Sequence, residues 1–117
     1  MNLSVQDSIA PAGKQPSVEK LAQLFPQASP VRIAVSVSVT ARGGRALEEH
    51  TVIEFGTSQE VLFASSLPLE FEDRVRLRNS DGSLDAQATI VAVRYHAGRQ
   101  AVAARFAGQV VNWIIKP

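Results

Sequence analysis

From Val31 to Thr40 the chain alternates without an error: Val31, Ile33, Val35, Val37 and Val39 are apolar, while Arg32, Ala34, Ser36, Ser38 and Thr40 are small or polar. A period of two predicts a strand with one buried face. Gly43-Gly44 turns the chain, and a second strand is expected near Ala46–Phe55, its alternation blurred by adjacent Val52 and Ile53. Gly56-Thr57-Ser58-Gln59 reads as the next turn, followed by an apolar strand at Val61–Ala64 and a loop over residues 65–73 containing Pro68. Strict alternation returns in Arg74-Val75-Arg76-Leu77-Arg78. Asn79-Ser80-Asp81-Gly82 is a hairpin signal, because Asp and Gly tolerate positive φ. A longer strand at Ala86–Tyr95, a turn at Ala97-Gly98 and a strand at Ala101–Phe106 complete the set.

Six strands joined by short turns, with no helix between them, cannot make a parallel sheet. The expected fold is all-β, a six-stranded antiparallel β-barrel or sandwich, since an open sheet would leave two edges exposed. The C-terminal segment after Gly108 is apolar enough to pack as a last turn or strand, with Trp113 as its largest anchor.

Ahead of the barrel the pattern changes. Residues 1–16 have no sustained period and read as a flexible N-terminal tail. Residues 17–29 read as a short helix and linker arm, and residues 30–117 as the barrel domain. In the helix Ser17 is the expected N-cap, Glu19 sits in the positive first turn, Leu21, Leu24 and Phe25 share a face, and Pro26 ends it. So short a helix must pack on something, and one end of the barrel is the expected place.

Composition narrows the chemistry. The 117 residues carry 12 Lys and Arg against 11 Asp and Glu, a net charge of +1, so no strong global field draws nucleic acid or anionic lipid. The absence of cysteine excludes disulfides, thiolate catalysis and thiolate metal sites. His50 and His96 fall at strand ends with no carboxylate or second histidine at ligand spacing, and read as surface residues. No basic start leads into an apolar run, and no stretch is long enough for a membrane helix. No nucleophile with an adjacent base, phosphate loop or paired carboxylates stands at a credible position, so neither an enzyme nor a cofactor is expected.

The order of short motifs resembles the PilZ domain family. It runs through Pro30-Val31-Arg32, then Glu54-Phe55-Gly56-Thr57-Ser58-Gln59, then Leu67-Pro68-Leu69 leading into Arg74-Val75-Arg76-Leu77, and ends in Ala103-Ala104-Arg105-Phe106. The resemblance covers roughly residues 28–112. It implies a six-stranded barrel in a bacterial cytoplasm and the context of cyclic di-GMP signalling. PilZ domains carry Arg-x-x-x-Arg before the first strand and Asp/Asn-x-Ser-x-x-Gly after the second. Arginine forks match phosphate oxygens and the guanine edge, an acid accepts from guanine N–H groups, and glycine permits close backbone approach. Here Arg32 matches the second arginine and Ala28 stands at the first; Glu54 keeps the acid, Gly56 replaces the serine and Gln59 the glycine, with Thr57 or Ser58 a residue or two late for a hydroxyl. The resemblance therefore implies an adaptor whose own cyclic di-GMP binding, through Arg32, Glu54, Gly56, Ser58 and Gln59, is weak, altered or lost.

Other residues suggest surfaces. Arg74, Arg76 and Arg78 form a stripe on one strand face, readable as a solvated face pairing with upstream Glu70, Glu72 and Asp73, or as an anion or RNA contact. No aromatics suited to base stacking accompany them. Glu48-Glu49 is expected to face water. Phe71 and Trp113 are readable as core or as a patch for a protein partner. Two rival classes follow, a small nucleic-acid-binding barrel and a plain protein-interaction module.

Overall fold

A computed structural model describes residues 16–40, 43–110 and 112–116. The expected tail lies outside the described residues, except for Pro16. The elements are α1 (Pro16–Ala22), β1 (Ser29–Thr40), β2 (Ala46–Gly56), β3 (Glu60–Ser65), β4 (Arg74–Arg78), β5 (Asp85–His96) and β6 (Arg99–Phe106). All strand pairs are antiparallel, and the order β1-β2-β3-β6-β5-β4 closes into a barrel.

The alternating residues of β1 supply one inner wall. Val35 and Val37 are buried, with Val31, Ile33 and Val39 packed at the margin of the core. Register explains the blurred pattern of β2. Leu47, Glu49, Thr51 and Ile53 lie opposite Val39, Val37, Val35 and Ile33, so this strand's inner face carries two polar residues. Thr51 is accommodated because its hydroxyl donates to the carbonyl of Ala64 at 2.6 Å.

Closure needs bent strands, and register shifts occur in β1 between Pro30 and Ile33, in β2 between Ile53 and Phe55, and in β5 between Ile90 and Ala92. Such bulges add twist and curvature where a barrel must turn its corners. The shift in β5 also reverses its phase. Ala88 and Ile90 belong to the barrel core, whereas Ala92 packs on the outside.

The helix is shorter than expected and sits elsewhere. Pro16 opens it, as the fixed φ of proline allows, so Ser17 lies within the helix rather than at its cap. It does not plug a barrel end. Val18 and Leu21 are fully buried against the outer faces of β3 and β6, over Leu62, Ala64, Ala101 and Ala103. The alanines let the helix approach closely, and burying two aliphatic side chains stabilises the docking by roughly 3–6 kcal/mol. This explains why β3 is buried on both faces, with Val61 and Phe63 turned inward. Leu24, expected on the packed face, lies beyond the helix and is 71% exposed.

The barrel ends are closed by loops. At the end holding the β2–β3 turn, residues 107–110 and 112–116 form an irregular strap with no strand, and the Trp113 backbone N–H closes a turn on the Val110 carbonyl at 3.3 Å. It is held by Asn112 donating to the Ser83 carbonyl at 2.6 Å and by Trp113, which is 3% exposed. At the other end Leu67 and Leu69 of the β3–β4 loop fold over the core, and Gln100 donates to the Leu69 carbonyl at 3.1 Å.

Candidate functional site

Of the residues that carry the PilZ resemblance, Pro30–Arg32 and Glu54–Gln59 come together at the strapped end, whereas Leu67-Pro68-Leu69 lies at the opposite end. Ser29 pairs with Gly56 and Pro30 with Phe55, so the β1 bulge sets Val31 and Arg32 opposite the Glu54 stretch of β2. Arg32 is exposed, Glu54 is buried, Ser58 is half-buried and Gln59 is exposed. The fold thus brings the N-terminal arginine and the β2–β3 turn to one place.

The turn itself is stapled from within. Thr57 Oγ1 accepts from the backbone N–H groups of Gln59 at 3.0 Å and Glu60 at 2.9 Å, while Thr57 N–H donates to the Glu60 carbonyl at 2.9 Å. The Thr57 hydroxyl also donates to Glu60 Oε1. The second oxygen of Glu60 holds Arg105, which donates from Nε at 3.0 Å and Nη2 at 2.9 Å. The hydroxyl of Thr57 is therefore spent on the turn, and so is unsuited to replace the family's serine. The pattern Thr-x-x-Glu, which pairs a hydroxyl with an acid three residues on, was the available sequence signal for this network.

Trp113 decides the shape of this end. Its Nε1–H donates to the Thr57 carbonyl at 2.6 Å, and its ring meets Phe106 edge-on, with centroids 5.3 Å apart and planes at 70°. The indole lies directly against Gly56. A methyl group added to Gly56 would come within 2.6 Å of Trp113 Cζ2 and 3.2 Å of Ile115 Cδ1. Glycine is required here by a close approach of side chains to backbone, not by a positive φ. Of the two readings open for Trp113, core and partner surface, the structure takes the first: it is buried, because an indole covers a large apolar area once its N–H finds an acceptor. Beside it a cleft of about 390 Å³ is lined by Ser58, Gln59, Arg105, Val110, Trp113 and Lys116.

The arginine stripe is real but differently paired. Arg74, Arg76 and Arg78 are exposed, alternating with buried Val75 and Leu77. The partner of Arg76 is Asp85 on β5, not the upstream acids: Nε and Nη2 donate to the two carboxylate oxygens at 2.9 and 2.8 Å. Hydrogen bonding to Asp85 raises Arg76 above its ordinary pKa, and the same bonds hold the Asp85 carboxyl below its own. Across the strands Ser36 and Ser38 face Arg78 and Arg76, and Gln87 and Thr89 face Arg76 and Arg74. These register partners include no aromatic side chain to stack on a base.

Glu48 and Glu49 part company. Glu48 is exposed and accepts from Ser36 Oγ at 3.1 Å. Glu49, expected in water, is half-buried on the inner face of β2 and caps the start of the β3–β4 loop. It accepts from Ser65 Oγ at 2.7 Å, from Ser66 N–H at 3.1 and 3.0 Å, and from the Ser66 hydroxyl. Burial pushes its pKa upward, but the bonds from Ser65 and Ser66 and the charge of Arg99 outweigh that and bring it below the ordinary value. Only the register of β2 against β1 revealed this, since adjacent acids on a strand point to opposite faces.

His50 and His96 are both exposed, and among the described residues no group of three or more His, Asp or Glu is arranged to hold a metal ion. Among them no helix is long and apolar enough to cross a membrane. Phe71 is 65% exposed at the tip of the Glu70–Asp73 turn. Compared with known proteins, the chain matches no family model, and no curated protein or solved structure is significantly similar to it.

Proposed function

We propose that this barrel is a non-enzymatic adaptor of the PilZ kind, working through protein contacts in bacterial cytoplasmic cyclic di-GMP signalling, with its own nucleotide site weak or lost. The resemblance of the ordered motifs motivates the signalling context. The closed six-stranded barrel agrees with it, as does the juxtaposition of Arg32 with the β2–β3 turn.

One observation carries the loss of binding: the Trp113 indole occupies the space against Gly56, where the family's pattern has a serine. A side chain at position 56 has no room while the strap is in place. The single arginine compounds this, since a missing bidentate contact costs roughly 1–3 kcal/mol of recognition. Two such losses take a micromolar ligand to about millimolar.

Calorimetry of the full chain with cyclic di-GMP tests the reading. No saturable heat is expected below about 1 mM ligand, and a micromolar Kd overturns the loss. A gain-of-binding variant tests the resemblance itself. Ala28→Arg, Gly56→Ser and Gln59→Gly must be combined with Trp113→Ala, because the serine otherwise strikes the indole. Binding by the fourfold variant supports the PilZ alignment; a folded fourfold variant that ignores the nucleotide removes it.

A further inference from the structure

Among the described residues several strand segments pair on one side only, including Ser29–Val35 of β1, Ala46–His50 of β2 and the C-terminal part of β5. Pairing of β5 with β4 ends at Arg74 and Thr89. The Glu70–Asp73 turn extends it by one residue, with Glu72 N–H donating to the Ile90 carbonyl and Ile90 N–H to that of Asp73, both at 2.8 Å. Beyond this point Ala92–His96 pair with β6 alone, so among the described residues their other backbone edge meets no strand. An open edge is a template for another strand unless charge, proline or cover blocks it.

Apolar side chains are exposed along this edge. The phase reversal at the β5 bulge turns Val93, which pairs with core residue Val102, toward the inner side, and Tyr95 follows it two residues on. Both are exposed, at 37% and 70%, and Phe71 stands exposed on the neighbouring turn. The charges are ordered along the edge. The acidic turn containing Glu72 packs at the Ile90 end, and exposed Arg94, His96 and Arg99 mark the hairpin tip.

We infer that a second copy of this chain pairs with this edge, β5 against β5 in antiparallel register about a two-fold axis. Antiparallel pairing lays the basic tip of each copy beside the acidic turn of the other. One edge therefore carries both halves of the complement at opposite ends, which is the requirement for an isologous interface. Val93 lies between them, with Tyr95 in the basic tip and Phe71 on the acidic turn, and these side chains lose water on pairing. This inference is independent of the nucleotide reading, which concerns the other end of the barrel.

Sedimentation velocity of the full chain, over about 5–500 μM protein, measures the dimer directly. A reversible dimer is expected that weakens as salt rises to about 0.5 M. Glu72→Arg and Arg94→Glu should each raise the dimer Kd about two- to fivefold or more, and the double charge reversal should return it toward the parent value. Tyr95→Glu, at an exposed position, should abolish the dimer while leaving the circular dichroism spectrum and melting temperature unchanged. A monomer at every concentration overturns the inference. So does a dimer indifferent to all three single substitutions.

Discussion

Replacing Trp113 by alanine should remove the main closure of one barrel end. The indole is 3% exposed, its N–H holds the Thr57 carbonyl at 2.6 Å, and its ring meets Phe106 at 5.3 Å. A buried tryptophan covers about 150–250 Å², which at about 25 cal/mol per Å² corresponds to roughly 4–6 kcal/mol. Partial collapse of the strap lowers this, and comparable truncations cost about 3–5 kcal/mol. Against a total stability of about 6–18 kcal/mol for a chain of this size, such a loss is severe. The variant is best followed by urea unfolding read by circular dichroism, because it has no other tryptophan to report fluorescence.

Gly56→Ala sharpens the test. A methyl group 2.6 Å from the indole should cost about 1–3 kcal/mol through overpacking. With Trp113→Ala already present, the space is free and the same methyl group should cost little. The two substitutions must therefore be strongly non-additive. Additive losses, or a Trp113→Ala cost under about 1 kcal/mol, would refute the placement of the indole against Gly56.

Two further outcomes probe other parts of the barrel. Glu49 has a folded pKa below its ordinary 4.5, so its contribution is complete above that pH and disappears as pH falls through the lower, folded value. Glu49→Gln should cost about 1 kcal/mol near neutrality and flatten the acid limb of a stability–pH profile measured by urea unfolding. An unchanged acid limb refutes the assignment. Leu21→Ala should destabilise the protein by about 2–5 kcal/mol and speed amide exchange in β3 beneath the helix, whereas a loss under about 0.5 kcal/mol would mean that α1 does not dock on that wall.

Much of the architecture was legible from local pattern. The error-free alternation of Val31–Thr40, the Asp81-Gly82 and Ala97-Gly98 turns, and the absence of helical stretches between strands were sufficient for six antiparallel strands in a barrel or a sandwich. They were sufficient because a strand's faces are set by neighbours two residues apart. The N-terminal helix was also legible as an element, from Glu19 in its first turn and Pro26 beyond it, although its docked face joins Leu21 to Val18 rather than to Leu24.

Where that helix docked was not. The outer faces of β3 and β6 show apolar residues on both sides of the strand, and periodicity cannot say whether the second face meets a helix or a closed barrel end. The bulges in β1, β2 and β5 answer to closure, a property of the whole sheet. The partners at the candidate site are set the same way. Trp113 reaches Thr57 across 56 residues of sequence, Arg105 reaches Glu60 across 45, and Glu49 reaches Ser65 across 16. Sequence alone determined that this chain makes strands, where they turn, and that Trp113 needs burial. Only the closed barrel decided that the indole lies on Gly56, because contacts between residues so far apart exist only once the sheet has curled on itself.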